Sequence, residues 1–162
     1  MPLTFQFAPD PGVPNSDLPL LVYQGAFPAD AAAIERRFAA NDWRPAWRSG
    51  VHPFHHFHAN THEALGVASG WATVLFGGPD GQTLTVKAGD VVVIPAGVGH
   101  CNIEQSPDLV IVGAYPTNAP TPDMYRDARG SDHPLDRLIA TVPPPPADPV
   151  EGTGGALSRL WA

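Results

Sequence analysis

The sequence predicts an all-β barrel or jelly roll, and three observations carry that reading. Between residues 50 and 116, short apolar runs recur at close spacing, each bounded by turn residues. Twenty prolines and sixteen glycines among 162 residues favour turns and extended arms over a helical bundle. Only one long segment, near the N-terminus, has apolar residues at helical spacing. The length suits one domain with a substantial core. Within it, residues 1–49 read as an N-terminal arm and helix, 50–116 as the barrel core, and 117–162 as a proline-rich extension.

Residues 1–28 carry six prolines, which exclude a helix. The run Leu18, Leu20, Leu21, Val22, Tyr23 is expected as a strand at a sheet edge, where nearby proline is tolerated. Residues 29–41 are the expected helix, with Asp30 as N-cap, Ile34 and Phe38 on the apolar stripe, and Asn41 at its end. The segment NDWRPAWRSG places Trp43 and Trp47 beside Arg44 and Arg48. Its bland reading is aromatic packing with salt-bridged arginines; the sharper one is an arginine at a pocket mouth holding a substrate carboxylate.

The next stretch, Gly50 to Gly70, holds five of the seven histidines. Read as a strand, it puts Phe54, His56 and His58 on one face. A turn at 59–62 would then make a hairpin and bring Glu63 beside the pair, roughly 5 Å away. Beyond the turn, Glu63, Leu65, Val67 and Ser69 share one face, against His62, Ala64, Gly66 and Ala68. The bulkier apolar residues lie with Glu63, so Glu63 faces inward and His62 outward. A bulge at the strand start would reverse this and make His62 the alternative ligand. Two imidazoles and a carboxylate converging on one point suit a divalent transition metal, although a histidine cluster is also compatible with a solvated surface.

Trp71 to Phe76 continues the sheet, GGPDGQ makes a hairpin turn, and Leu84 and Val86 lead out of it. Ala88 to Asp90 turns into Val91–Ile94, apolar on both faces and so expected in the middle of a covered sheet. Pro95–Gly99 turns again, with His100 directly beyond as a fourth candidate ligand. Cys101 would point away from a metal, whereas Asn102 returns to the inner face, where it would orient a bound water or a ligand. His52 and His55 are read as surface or supporting groups. LVIVGAY at 109–115 is the last strand, with Tyr115 at its end read as packing, or else as reaching the pocket. A short helix is expected near 134–140, polyproline II over PPPPADP, and docking of Leu157, Leu160 and Trp161 on the barrel or a partner.

The net charge of −7 argues against nucleic acid or an anionic membrane as partner. One cysteine excludes an intrachain disulfide and fits a reducing compartment. No apolar run is long enough to cross a bilayer, and the first residues lack a secretory pattern, so a soluble cytoplasmic protein is expected.

These residues resemble the two motifs of the cupins. The first motif is matched by Gly50, His56, His58, Glu63 and Gly70, with every interval satisfied. The second is matched by Gly89, Pro95, Gly97 and His100 but not by its final asparagine, because Asn102 falls too early and Glu104 takes that place. The resemblance implies a double-stranded β-helix of six to eight strands with a metal held by His56, His58, Glu63 and His100. Fe(II), Mn(II), Ni(II), Cu(II) and Zn(II) all suit such a donor set, and four protein ligands leave two positions of an octahedral shell open. The implied activity is that of a metal-dependent enzyme, a dioxygenase acting on a small organic acid or aromatic compound. A metal-dependent isomerase or lyase, or a non-catalytic small-ligand binding module, is the alternative. The apolar arms suggest a homodimer.

Overall fold

In the computed structural model, residues 1–131 and 134–162 are described. Their strands are β1 (Leu3–Phe5), β2 (Leu20–Tyr23), β3 (Trp43–Ser49), β4 (Glu63–Ser69), β5 (Trp71–Phe76), β6 (Gln82–Lys87), β7 (Val91–Ile94), β8 (His100–Gln105) and β9 (Val110–Pro116). The α-helices are α1 (Ala31–Ala40), α2 (Leu135–Ala140) and α3 (Ala156–Leu160). The strands form two sheets, a six-stranded one in the order β1-β2-β7-β4-β9-β3 and a three-stranded one in the order β6-β5-β8. Every pairing is antiparallel, as the jelly-roll expectation requires.

β7 runs through the middle of the large sheet and is buried on both faces. Val91 and Val93 join the outer core beneath α1, and Val92 and Ile94 join the core between the sheets. β4 divides in the same way. Leu65 and Val67 point between the sheets, while Ala64 and Ala68 point outward. The small outward residues form the bed for α1: a Cβ on Gly66 would come within 2.6 Å of Ile34 Cγ2 and 3.2 Å of Phe38 Cζ. The helix starts where expected, with the Asp30 carboxylate accepting from Ala32 N, and it ends at Asn41.

Two elements differ from expectation. β2 is internal, not an edge strand, because Leu3–Phe5 adds a strand outside it. Residues 54–58 form no strand; only two isolated bridges occur there, His56 to His100 and Phe57 to Tyr125. No hairpin therefore joins the histidines to Glu63. β4 pairs with β7 and β9 instead, so the histidine segment and Glu63 belong to opposite walls. In the 77–81 turn, Pro79 and Asp80 are the two central residues, closed by Gly81 N donating to Gly78 O at 2.9 Å.

A register shift between Pro45 and Trp47 turns β3 over. Trp43 faces the outer core and donates to Ala147 O, whereas Trp47 faces the space between the sheets. The C-terminal segment straps the outer core. Asp148 is buried, accepts from Val150 N, Glu151 N and Leu157 N, and receives the Tyr23 hydroxyl. Leu157 and Trp161 complete the apolar cluster, with Trp161 Nε1 donating to Pro19 O at 2.8 Å. The tail thus docks on its own barrel. Among the described residues no helix is long and apolar enough to cross a membrane.

Candidate metal centre

The irregular segment 54–58 and the start of β8 supply three imidazoles, and the start of β4 supplies a carboxylate. The His56–His100 bridge, with N–H···O distances of 3.2 and 2.9 Å, aligns the two histidine backbones across the mouth of the sandwich. One ring nitrogen from each of His56, His58 and His100 lies within 4.8 Å of the others. Glu63, 3 % exposed, reaches the same point: its Oε1 is 3.2 Å from His100 Nε2 and its Oε2 is 3.5 Å from His58 Nε2.

The opposite nitrogen of each ring is already used. His56 Nδ1 donates to Phe54 O at 3.0 Å, His100 Nδ1 to Val98 O at 3.2 Å, and His58 Nδ1 to Asp123 O. A carbonyl only accepts, so Nδ1 must carry a proton, and the Nε2 atoms of His58 and His100 face Glu63. Such carbonyl contacts are what orient metal-binding histidines. Four acceptors converging in a buried space repel one another unless a cation joins them, so the donor set fits a divalent metal.

The electrostatics agree. Burial pushes the His56 imidazole down to about 3, with His100 adding to the fall. Burial also opposes charge on His58, but Glu63 overrides it and lifts the group to about 9. For Glu63 itself burial acts upward, yet His58 and His100 hold the carboxyl well below the usual range. In the absence of metal, a proton on His58 supplies the cation that the carboxylate requires.

Residues outside the cluster divide clearly. His62 faces the opposite way and is not available as a ligand. Its Nδ1 accepts from Ala96 N at 2.9 Å, its Nε2 donates to Pro143 O at 3.2 Å, and its ring packs 4.7 Å from Trp161. No bulge occurs at the start of β4, so the parity of Glu63 and His62 stands. Asn102 is on the inner face, but its side chain hydrogen-bonds none of the four candidate ligands: Nδ2 donates to Gln105 Oε1, Oδ1 is buried without a hydrogen-bond partner, and the backbone N–H donates to His52 O. Arg48 pairs with Glu35 of α1 on the exterior at 2.6 Å and leaves the pocket mouth. Cys101 is buried, and burial raises its thiol.

Other residues also stand at the site. Tyr115 lines the cavity instead of merely packing: its ring meets His58 edge-on at 5.9 Å and its hydroxyl accepts from Trp47 Nε1 at 3.0 Å. Burial and the nearby Glu63 raise the phenol. Asp123 orients His58 through its carbonyl, while its carboxylate accepts from Ala59 N at 2.7 Å, fixing the loop that carries His58. Nothing in the proline-rich local sequence of Asp123 signals this role. His52 stands at the mouth, stacked on Phe54 at 4.8 Å, with the Arg126 guanidinium 3.6 Å from the same ring.

Two antiparallel sheets around a buried histidine-rich site compatible with a metal define a jelly-roll protein. The chain belongs to the cupin family, whose family model matches residues 48–141. It is 38 % identical over 159 residues to the uncharacterized protein YjlB of Bacillus subtilis (strain 168), covering 98 % of this chain and 95 % of that one. Among solved structures it is similar to an oxalate decarboxylase at 20 % identity, covering 86 % of this chain and 34 % of that one, with a TM-score of 0.33. A Bacillus subtilis oxalate decarboxylase structure matches at 22 % identity over 83 % of this chain and 32 % of that one, with a TM-score of 0.34. The chain spans about a third of the length of those structures.

Proposed function

We propose that the protein is a metal-dependent enzyme that holds one divalent transition ion through His56, His58, Glu63 and His100 and acts as a dioxygenase on a small molecule. The observation that supports this reading most directly is the convergence of the three imidazoles, each with Nδ1 committed to a backbone carbonyl, with Nε2 of His58 and His100 at Glu63. A bound ion would supply Lewis acidity and, if it were iron, a site for O2. The chain's own residues do the rest. Asp123 and the His56–His100 bridge hold the ligands in place. Tyr115 and Trp47 form a wall beside Glu63, and Leu65 and Val51 limit the access of water.

The test is elemental analysis of untagged protein, followed by O2 consumption after anaerobic loading with Fe(II). About one iron per chain, with O2 uptake stimulated by a panel of small acids and aromatic compounds, is the expected result. Stoichiometric zinc or nickel without O2 uptake would replace the dioxygenase with an isomerase, lyase or binding module. Replacing His58 with Ala is expected to abolish metal retention, whereas His62→Gln is expected to preserve it. Unchanged metal content in the His58 variant would refute the ligand set.

A further inference from the structure

The cavity above the histidine cluster has a volume of about 440 Å³, within the range of small-molecule sites. Beyond the four candidate ligands, half of its lining is apolar (Trp47, Val51, Leu65, Pro122 and Met124), and Ser49, His52, Tyr115 and Asp123 are its polar residues. Trp47 lies directly on the backbone of Gly113, where a Cβ would come within 2.0 Å of the indole, and its Nε1 is held by Tyr115. The aromatic wall is therefore fixed in position. Among the described residues that line the cavity there is no lysine or arginine. The two acidic residues are Glu63, which faces the histidines, and Asp123, whose carboxylate is engaged with Ala59 N.

This inference rests on the metal reading above. A divalent ion with one carboxylate and three neutral imidazoles leaves a net charge of about +1 on the centre. One anionic donor neutralises it. A second carboxylate on the same small molecule would lie against Trp47, Leu65, Val51 or Met124 with no lysine or arginine in the lining, the Arg126 guanidinium being seated over Phe54 at the mouth, and an unpaired buried charge is strongly unfavourable. We infer that the pocket selects a substrate with a single anionic metal-binding donor on an apolar, ring-sized body, and that it disfavours small dicarboxylates.

The test uses the full chain loaded with Co(II), with two probes: 1-naphthoate, which has one carboxylate on an aromatic body, and succinate, which has two carboxylates and little else. Equilibrium dialysis first establishes that Co(II) is retained. Calorimetry and the visible Co(II) spectrum then report binding. The expected result is at least tenfold tighter binding of 1-naphthoate. Met124 is 48 % exposed at the mouth, so Met124→Arg leaves the core untouched, and it is expected to raise succinate affinity and narrow the gap. Trp47→Ala is expected to weaken 1-naphthoate while Co(II) stays bound. Succinate binding as tightly as 1-naphthoate, or neither probe altering the spectrum of retained Co(II), would overturn the inference. Failure to retain Co(II) overturns the metal reading instead, and the dialysis step separates that outcome before any probe is added.

Discussion

Gly113→Ala tests how the sheet positions the pocket wall. An added Cβ would meet Trp47 Cε2 at 2.0 Å, Cζ2 at 2.2 Å and Nε1 at 2.5 Å. Carbon atoms pack at ~3.5–4.0 Å, so the indole must retreat by ~1.5–2 Å. That displacement breaks the 3.0 Å hydrogen bond from Trp47 Nε1 to the Tyr115 hydroxyl. Overpacking costs ~1–3 kcal/mol and the lost hydrogen bond ~1 kcal/mol, giving ~2–4 kcal/mol in total. For a domain of this size the loss corresponds to a fall in Tm of ~5–15 °C. Removing the obstacle reverses the sign. In a Trp47→Ala background, the same substitution has room and replaces glycine in a strand, so it becomes neutral or stabilising by ~0.5–1 kcal/mol. Urea denaturation of the four-member cycle, followed by far-UV circular dichroism, measures both values. An equal loss in the two backgrounds would show that the Trp47 contact is not what excludes a side chain at position 113.

Three further outcomes follow from particular contacts. Asp148→Ala leaves Val150 N, Glu151 N, Leu157 N and the Tyr23 hydroxyl without their buried acceptor and should cost ~3–5 kcal/mol in urea melts; a loss below ~1 kcal/mol would mean that the C-terminal strap is not held by this carboxylate. Burial lowers His62 from 6.5 to about 4 despite its contact with Pro143, so the unfolded chain binds the extra proton in that window. Its contribution is complete above pH 6.5 and is lost as pH falls toward 4, amounting to ~3 kcal/mol, and a His62→Gln variant should show a correspondingly flatter stability profile there. Replacing Arg48 by Ala should leave the urea midpoint and the metal content essentially unaltered, because the Glu35 pair is a surface contact; a loss of metal would place the arginine at the site after all.

Local chemistry determined much of this molecule. The capping of α1 by Asp30, the double-sided burial of Val91–Ile94 and the inward parity of Glu63, Leu65 and Val67 all follow from periods of 3.6 or 2 and from turn residues. Motif spacing also singled out His56, His58, Glu63 and His100, whose side chains the fold brings together. How they come together was a tertiary matter. Adjacent positions suggested one hairpin, but the histidine segment bridges to β8 and Glu63 lies in the other sheet, and only long-range pairing distinguishes these routes to the same cluster. The same reason hid Asp123, which acts on His58 from a distant segment. It also hid the turn of β3 at Pro45–Trp47, since a single bulge reverses a strand's faces without leaving a periodic signal. Sequence alone named the donors; the carbonyls that turn each imidazole, and the apolar wall that faces them, were decided by which strands the chain packs side by side.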